Sequence, residues 1–231
     1  MMIVVNHLTR VQVGVVCVAG IDIERMRHVR PVISGSRLTS RLLVGNGGCF
    51  ELGYLVDLGQ AEYVGQPPEL EDYHFDTRKV FQRGKVSASR FWQLLQKVSR
   101  GSLAELFGSA LHPYGRGGVV EVGMGEASLG LLKLEHTPEL YLDEHRRIRI
   151  GFSDGKFKMD LSVTDLRLYQ EDFKTPKREL VEKVAGWCRA EPGTGMLLSV
   201  GLSRAWQKPD DSRERHWLQA NNLHFEQHPV W

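Results

Sequence analysis

Residues 1 to 59 alternate short apolar runs with clusters of small and polar residues, the spacing of strands and turns rather than of helices. The runs are Ile3-Val4-Val5, Val11 to Ile21, His28 to Ile33 and Tyr54 to Leu58, with Gly45-Asn46-Gly47-Gly48 among the breaks. Strict alternation in Val11-Gln12-Val13-Gly14-Val15 predicts a strand with one buried face. The continuous Val15-Val16-Cys17-Val18-Ala19 run then predicts burial on both faces, as where a strand bends around a small barrel. Residues 60 to 76 are polar, hold Pro67-Pro68, and read as a loop over the surface.

The period changes to 3.6 after this loop. Phe91, Leu94, Leu95 and Val98 predict a helix capped by Ser87 or Ser89 and ended by Gly101, and Ser102-Leu103-Ala104-Glu105 opens a shorter one that stops at Gly108. Strand texture returns at Val119 to Val122, Leu129 to Leu134, Tyr141-Leu142, Arg147 to Ile150 and Phe157 to Leu161. Ser153-Asp154-Gly155 supplies a hairpin turn between the last two. Ile148, Ile150, Phe157 and Met159 then face inward, and Arg147, Arg149, Lys156 and Lys158 form a basic ladder on the outer face. A helix is predicted from about Thr175 to Arg189, with Thr175-Pro176 at its start and Glu191 to Gly195 at its end. A strand over Met196 to Ser203, a charged loop over Gln207 to Glu214, and a last strand, straight or bulged, over His216 to Leu223 complete the pattern. No internal repeat of residues is present, yet each half holds several strands and a helical insertion.

That pattern predicts a mostly β protein of two OB-like β-barrels, residues 1–110 and 111–231, each with a helical insertion. Cys17-Val18-Ala19-Gly20-Ile21-Asp22, Arg30-Pro31-Val32 and Phe50 to Leu58 resemble the dual OB-domain family of small prokaryotic proteins, and Ser199 to Ser203 with His216-Trp217-Leu218-Gln219 resemble its ending. The family pattern has Trp-Ile before Arg-Pro where this chain has His28-Val29, which removes an aromatic able to stack on a base. The resemblance implies a nucleic-acid-binding protein associated with prokaryotic defence.

Composition is close to the globular average, 42% hydrophobic and 25% charged, which excludes collagen, coiled coil and disorder. The net charge of +2 conceals its distribution. The first fifty residues hold six Arg against Asp22 and Glu24, a local +4, and residues 78 to 100 hold seven Lys or Arg and no acid, a local +7. Glu62, Glu69, Glu71, Asp72 and Asp76, with the preceding Asp57, offset them. A surface that tracks phosphates needs such cations with aromatics between them, and Phe81 and Trp92 interleave the second cluster. The candidate nucleic-acid-binding residues are Arg10, Arg30, Arg83, Lys85, Arg90, Arg147 and Arg149. The plain alternatives are a solvated face for the run, an internal ion pair for Arg30, and a core position for Trp92.

Catalytic chemistry finds little support. His224-Phe225-Glu226-Gln227-His228 is not a zinc-protease motif and reads as a frayed chain end; Asp57, Asp143 and Asp160 are scattered; no phosphate-cradling glycine loop occurs. His112-Pro113-Tyr114-Gly115-Arg116-Gly117-Gly118 reads as a flexible linker. Three separated cysteines, Cys17, Cys49 and Cys188, point to reduced thiols, with Cys17 and Cys188 as small buried hydrophobes. No leader-like or bilayer-length apolar run is present, so the expectation is a cytoplasmic protein without membrane contact. The function expected is non-catalytic binding of single-stranded or non-B nucleic acid, without cofactor or metal. The alternatives are an adaptor that recruits a protein effector through the strand around Trp217 and through Trp231, and, more weakly, a metal-dependent nuclease.

Overall fold

The computed structural model describes residues 1–190, 195–209 and 211–231 and shows a mostly β chain. In chain order, β1 (Met2–Gln12), β2 (Val15–Asp22), β3 (Arg27–Val32), β4 (Tyr54–Asp57), β5 (Glu62–Tyr63), β6 (Asp72–His74) and β7 (Phe81–Lys85) build one sheet, in the spatial order β5-β6-β3-β2-β1-β4-β7. Two helices follow, α1 (Ala88–Val98) and α2 (Leu103–Phe107). Then come β8 (His112–Tyr114), β9 (Gly117–Glu121), β10 (Leu129–Lys133), β11 (Glu139–Leu142), β12 (Ile148–Ser153), β13 (Lys158–Ser162), α3 (Arg178–Ala190), β14 (Met196–Leu202), β15 (Trp206–Gln207) and β16 (Glu214–Phe225). Strands β10-β14-β16-β9-β8 form a second sheet with β15 on β16, and β11-β12-β13 form a third. No helix among the described residues is long and apolar enough to cross a membrane.

The first sheet mixes antiparallel pairs with one parallel pair, β3 on β6, where Arg30 lies opposite Asp72. β1 and β2 join through Val13-Gly14, and Gly14 adopts φ 71°, a conformation that a side chain would strain. The predicted run from Val11 to Ile21 is therefore two strand ends and a turn. β1 itself is longer than its apolar core suggests, because Asn6, His7 and Thr9 are buried with Ile3, Val4, Val5 and Leu8.

A bulge explains which of these side chains share a face. The register of β1 on β2 slips between Val5 and His7, leaving Asn6 as the extra residue. Parity reverses there, so Ile3, Val5 and Leu8 enter one core with Val18, Phe50 and Leu52. Val4 faces the other way, joining Ile21, the buried face of α1 (Phe91, Trp92, Leu94, Leu95, Val98), and Leu131 and Leu197 of the second sheet. Helix α1 is thus a wedge between the two β-rich halves, and Trp92 is core. A third cluster, with Ile148, Ile150, Leu161, Val184, Leu198 and Phe225, also takes in Leu103 and Phe107 of α2.

Several local expectations hold in atomic detail. Ser87 Oγ accepts from Arg90 N at 3.2 Å and Ser102 Oγ from Glu105 N at 3.2 Å, capping α1 and α2. Asp154 Oδ1 accepts from Phe157 N at 2.6 Å in the β12–β13 turn. β16 carries the bulge, with Asn221 the extra residue between the pairs Val200–Ala220 and Ser199–Asn222. Others are corrected. Residues 60 to 76 are not a bare surface loop: they contain β5 and β6, with Glu71 and Asp72 buried. α3 begins at Arg178, not Thr175, because Asp172 takes the Thr175 N–H and hydroxyl at 2.8 and 2.6 Å in a turn of its own. The expected stop over residues 191–194 lies outside the described residues. Cys17 is half-buried, while Cys49 and Cys188 are buried.

Where β1 meets β16 the contact is polar and buried. Asn222 Oδ1 accepts from Leu8 N at 2.8 Å and its Nδ2 donates to Leu8 O at 3.1 Å, so one side-chain amide stands in for a neighbouring strand. His7 Nδ1 lies 3.2 Å from Asn221 Nδ2, His28 Nε2 3.2 Å from Asn6 Nδ2, and His224 Nε2 3.0 Å from Ser199 Oγ. The expected frayed end at His224 is corrected by this bond and by zero exposure. Burial holds His28 at about 4 and His224 at about 3, and carries His7 well below the ordinary imidazole value. Unfolded rings take up protons near 6.5, the folded His28 and His224 only at or below about 4, and His7 too is shifted down, so the unfolded state binds more protons below 6.5. Urea midpoints measured from pH 7.5 down to pH 4.5 should therefore fall, each histidine contributing up to about 1.4 kcal/mol per pH unit below its unfolded pKa. A flat profile would show that these rings are charged in the fold.

Candidate nucleic-acid interface

Strand β7 is the outer edge of the first sheet and pairs with β4 alone. Its register slips between Tyr54–Lys85 and Val56–Gln82, and Gly84 takes φ 108° within this bulge. Bulges and cations are what edge strands use against pairing with another chain, so the basic character of β7 has a structural use as well. Phe81 is 55% exposed there. Arg83 places its guanidinium 5.8 Å from the Phe81 ring centre and its Nη2 2.8 Å from Asp57 Oδ2, with the side chain still half exposed. Lys85 is exposed and makes no ion pair among the described residues.

Two residues on, α1 turns its apolar stripe inward and leaves Arg90, Gln93, Gln96 and Lys97 exposed. Arg100 continues that face at the helix end, and its backbone bonds to Leu131 O and from Lys133 N, at 2.9 and 2.8 Å, set it beside the exposed Lys133 of β10. None of Arg90, Lys97, Arg100 or Lys133 has an ion-pair partner among the described residues, and no acid occurs from residue 77 to 104. Arg90 stands in the first turn of α1, where the helix dipole disfavours a cation. Helix stability does not explain its presence. Lys97, Arg100 and Lys133 are absent from the sequence-derived candidates; the polar complement of the 3.6 period points to the first two, whereas Lys133 joins only through the fold.

The remaining candidates lie elsewhere and are occupied. Arg30 is 4% exposed, its Nε 2.5 Å from Asp72 Oδ1, so this most prominent cation of the first strands is an internal ion pair and not a surface contact. Arg204 adds bonds of 2.6 Å to Asp72 and 3.1 Å to Glu69. The neighbouring Glu71 carboxylate accepts from Ser128 N at 2.9 Å, Ser128 Oγ at 2.7 Å and Leu129 N at 3.2 Å. Burial pushes that carboxyl up, against the pull of the Ser128 bonds and of Arg30. Arg10 lies 4.1 Å over the Tyr169 ring and donates to Phe173 O at 2.9 Å. The outer-face ladder is neutralised in part: Arg147 pairs with Asp143 at 2.7 Å, and Arg149 with Asp160 at 3.1 Å. The residues of the adaptor alternative are likewise in use, since Trp217 is 6% exposed and Trp231 lies under the Arg167 guanidinium at 3.6 Å. Among the described residues no three His, Cys, Asp or Glu side chains are grouped to hold a metal ion.

Residues 2–223 match the model of a family described as a dual OB-containing domain. The chain belongs to the dual OB-containing domain family. No curated protein matches it. In this dual OB-containing domain the match runs through all three sheets and the α1 wedge, ending two residues before β16 does.

Because Asp72 is itself buried, removing Arg30 leaves its carboxylate with the more exposed Arg204 as its remaining counter-charge. Arg30→Ala should cost up to about 3 kcal/mol in urea unfolding, the low end for a broken buried pair because Arg204 still reaches Asp72, and the double change Arg30→Met with Asp72→Leu should recover most of it. Equal stability of Arg30→Ala and the unchanged protein would show that the pair is solvated.

Proposed function

We propose that this dual OB-containing domain is a non-catalytic protein that binds single-stranded or non-B-form nucleic acid along the face made by β7 and α1. The observation that carries the reading is the set of exposed cations with no ion pair among the described residues, Lys85, Arg90, Lys97 and Arg100, in one acid-free stretch with the half-exposed Phe81 and Arg83. Phosphates neutralised by Lys and Arg release their counterions, and an exposed ring offers a base a stacking partner at no cost in specificity. Two OB units are compatible with this chemistry. Arg10, Arg30, Arg147 and Arg149 lie on other elements, outside the proposed face, and each makes an intramolecular contact of its own. The accessory role in prokaryotic defence rests on the sequence resemblance alone, and the cytoplasmic placement on the sequence's lack of a leader-like or bilayer-length apolar run.

Binding of labelled single strands over a salt series tests the reading. Log affinity should fall linearly with log salt by about 0.7 per neutralised phosphate, and the combined Arg83→Ala, Lys85→Ala, Arg90→Ala protein should show a slope flatter by about 2. Failure of the unaltered protein to retain DNA or RNA at low salt overturns the function. Retention with an unchanged slope in the triple variant removes this face from it.

A further inference from the structure

The second sheet holds an aromatic cluster with a different construction from the β7–α1 face. Tyr114 ends β8 and Trp206 begins β15, both strands at the margin of the sheet, and these rings are 44% and 43% exposed. Both lean on the buried Trp217 of β16, at centroid distances of 5.4 and 6.1 Å. Trp217 is itself anchored, donating Nε1–H to Trp206 O at 3.0 Å and its backbone N–H to Ser203 Oγ at 3.0 Å. The expected flexible linker around Tyr114 is in fact the β8–β9 hairpin, in which Tyr114 pairs with Gly117 across Gly115-Arg116. Two rings are therefore held open to solvent by a rigid third, so a planar ligand stacking on them meets surfaces already ordered.

Cations surround the rings. Lys208 Nζ sits 3.5 Å from the Trp217 ring centre, the Arg215 guanidinium 4.9 Å from that of Tyr114, and Arg116 stands at the hairpin tip with its side chain 84% exposed. The carboxylates nearby are engaged: Glu121 and Asp211 on Arg215 at 2.9 and 2.5 Å, and Asp160 on Arg149 at 3.1 Å and, more loosely, on Arg116 at 3.7 Å. Lys208 and the exposed Arg213 make no ion pair among the described residues, against one such carboxylate, Glu214. Stacking surface and spare positive charge in one place fit a ligand that alternates aromatic planes with phosphates.

We propose that Tyr114 and Trp206, supported by Trp217 and flanked by Lys208 and Arg116, form a second binding site that stacks bases of a single-stranded polynucleotide. The site extends the proposed function to the other half of the molecule and uses none of the residues of the β7–α1 face. Its contribution is stacking first and charge second. Loss of a ring should thus lower affinity without changing the salt slope.

The probes are fluorescein-labelled oligo-dT and oligo-rU of about 12 nucleotides, within the span of one OB unit, titrated against the full chain by anisotropy. Tyr114→Ala and Trp206→Ala should each weaken binding about tenfold at fixed salt with an unaltered slope, and Tyr114→Phe and Trp206→Phe should retain most of the affinity. A preference for one oligomer identifies DNA or RNA as the ligand. Aromatic variants that bind like the unaltered protein, while the Arg83, Lys85, Arg90 variant weakens, overturn this site and leave the β7–α1 reading. The reverse pattern keeps the site and removes that face. An Ala loss that Phe does not restore assigns the rings to folding and overturns the site. No binding of either oligomer by the unaltered protein overturns both.

Discussion

The clasp of Asn222 on the backbone of Leu8 joins the longest strand of the first sheet to the longest strand of the other half. Both groups of Leu8 would otherwise be left without partners in a buried interface, at a cost of about 1–3 kcal/mol for each buried unsatisfied group. The amide can reach them in only one relative placement of β1 and β16. Each strand supplies a bulge at the crossing, Asn6 in one and Asn221 in the other, and the bulges turn polar side chains into the seam while apolar ones keep to their own cores. Helix α1 fits the remaining gap, its apolar face touching Val4 and Ile21 on one side and Leu131 and Leu197 on the other.

From this arrangement follows the position of the charged face. With five apolar residues of α1 spent on the wedge, the opposite side of the helix must face water, and it carries Arg90, Gln93 and Lys97. β7 leads directly into α1 and closes the first sheet as an edge strand, so its exposed cations and Phe81 precede that helix by a few residues. The same halves are tied a second time through Glu71 on Ser128 and Arg204 on Asp72. Two acids of the 60–76 stretch thus hold the molecule together from within.

The balance of charge is best understood as two populations of cations. Arg30, Arg149 and Arg204 each meet a carboxylate brought to them by strand pairing or by contact between the halves, and they stabilise the structure locally. Those of β7 and α1 lie in a stretch of 28 residues, 77 to 104, without an acid, and with the exception of Arg83 no distant one is folded onto them. Local acid depletion marked the open face; a high count of arginines, as in the first fifty residues, did not.

Period and punctuation by themselves determined the strand-rich class, the existence and buried stripe of α1 with Trp92 in it, the cap and end of α2 and the β12–β13 turn, because each depends on residues a few positions apart, while the α1 cap stayed open between Ser87 and Ser89 and its end fell at Val98, short of Gly101. The dual OB family was legible for the same reason, in short strand motifs read in order. Contacts between residues far apart in the chain decided the rest. Nothing near Arg30 in sequence announces Asp72, which the parallel pairing of β3 with β6 places opposite it. His224 reads as a chain end until β14 and β1 close over it. Tyr114, Trp206 and Trp217 are separated by up to 103 positions, and only the meeting of β8, β15 and β16 makes them one surface. A side chain's partner is set by where the chain returns, and that return is a property of the whole packed structure.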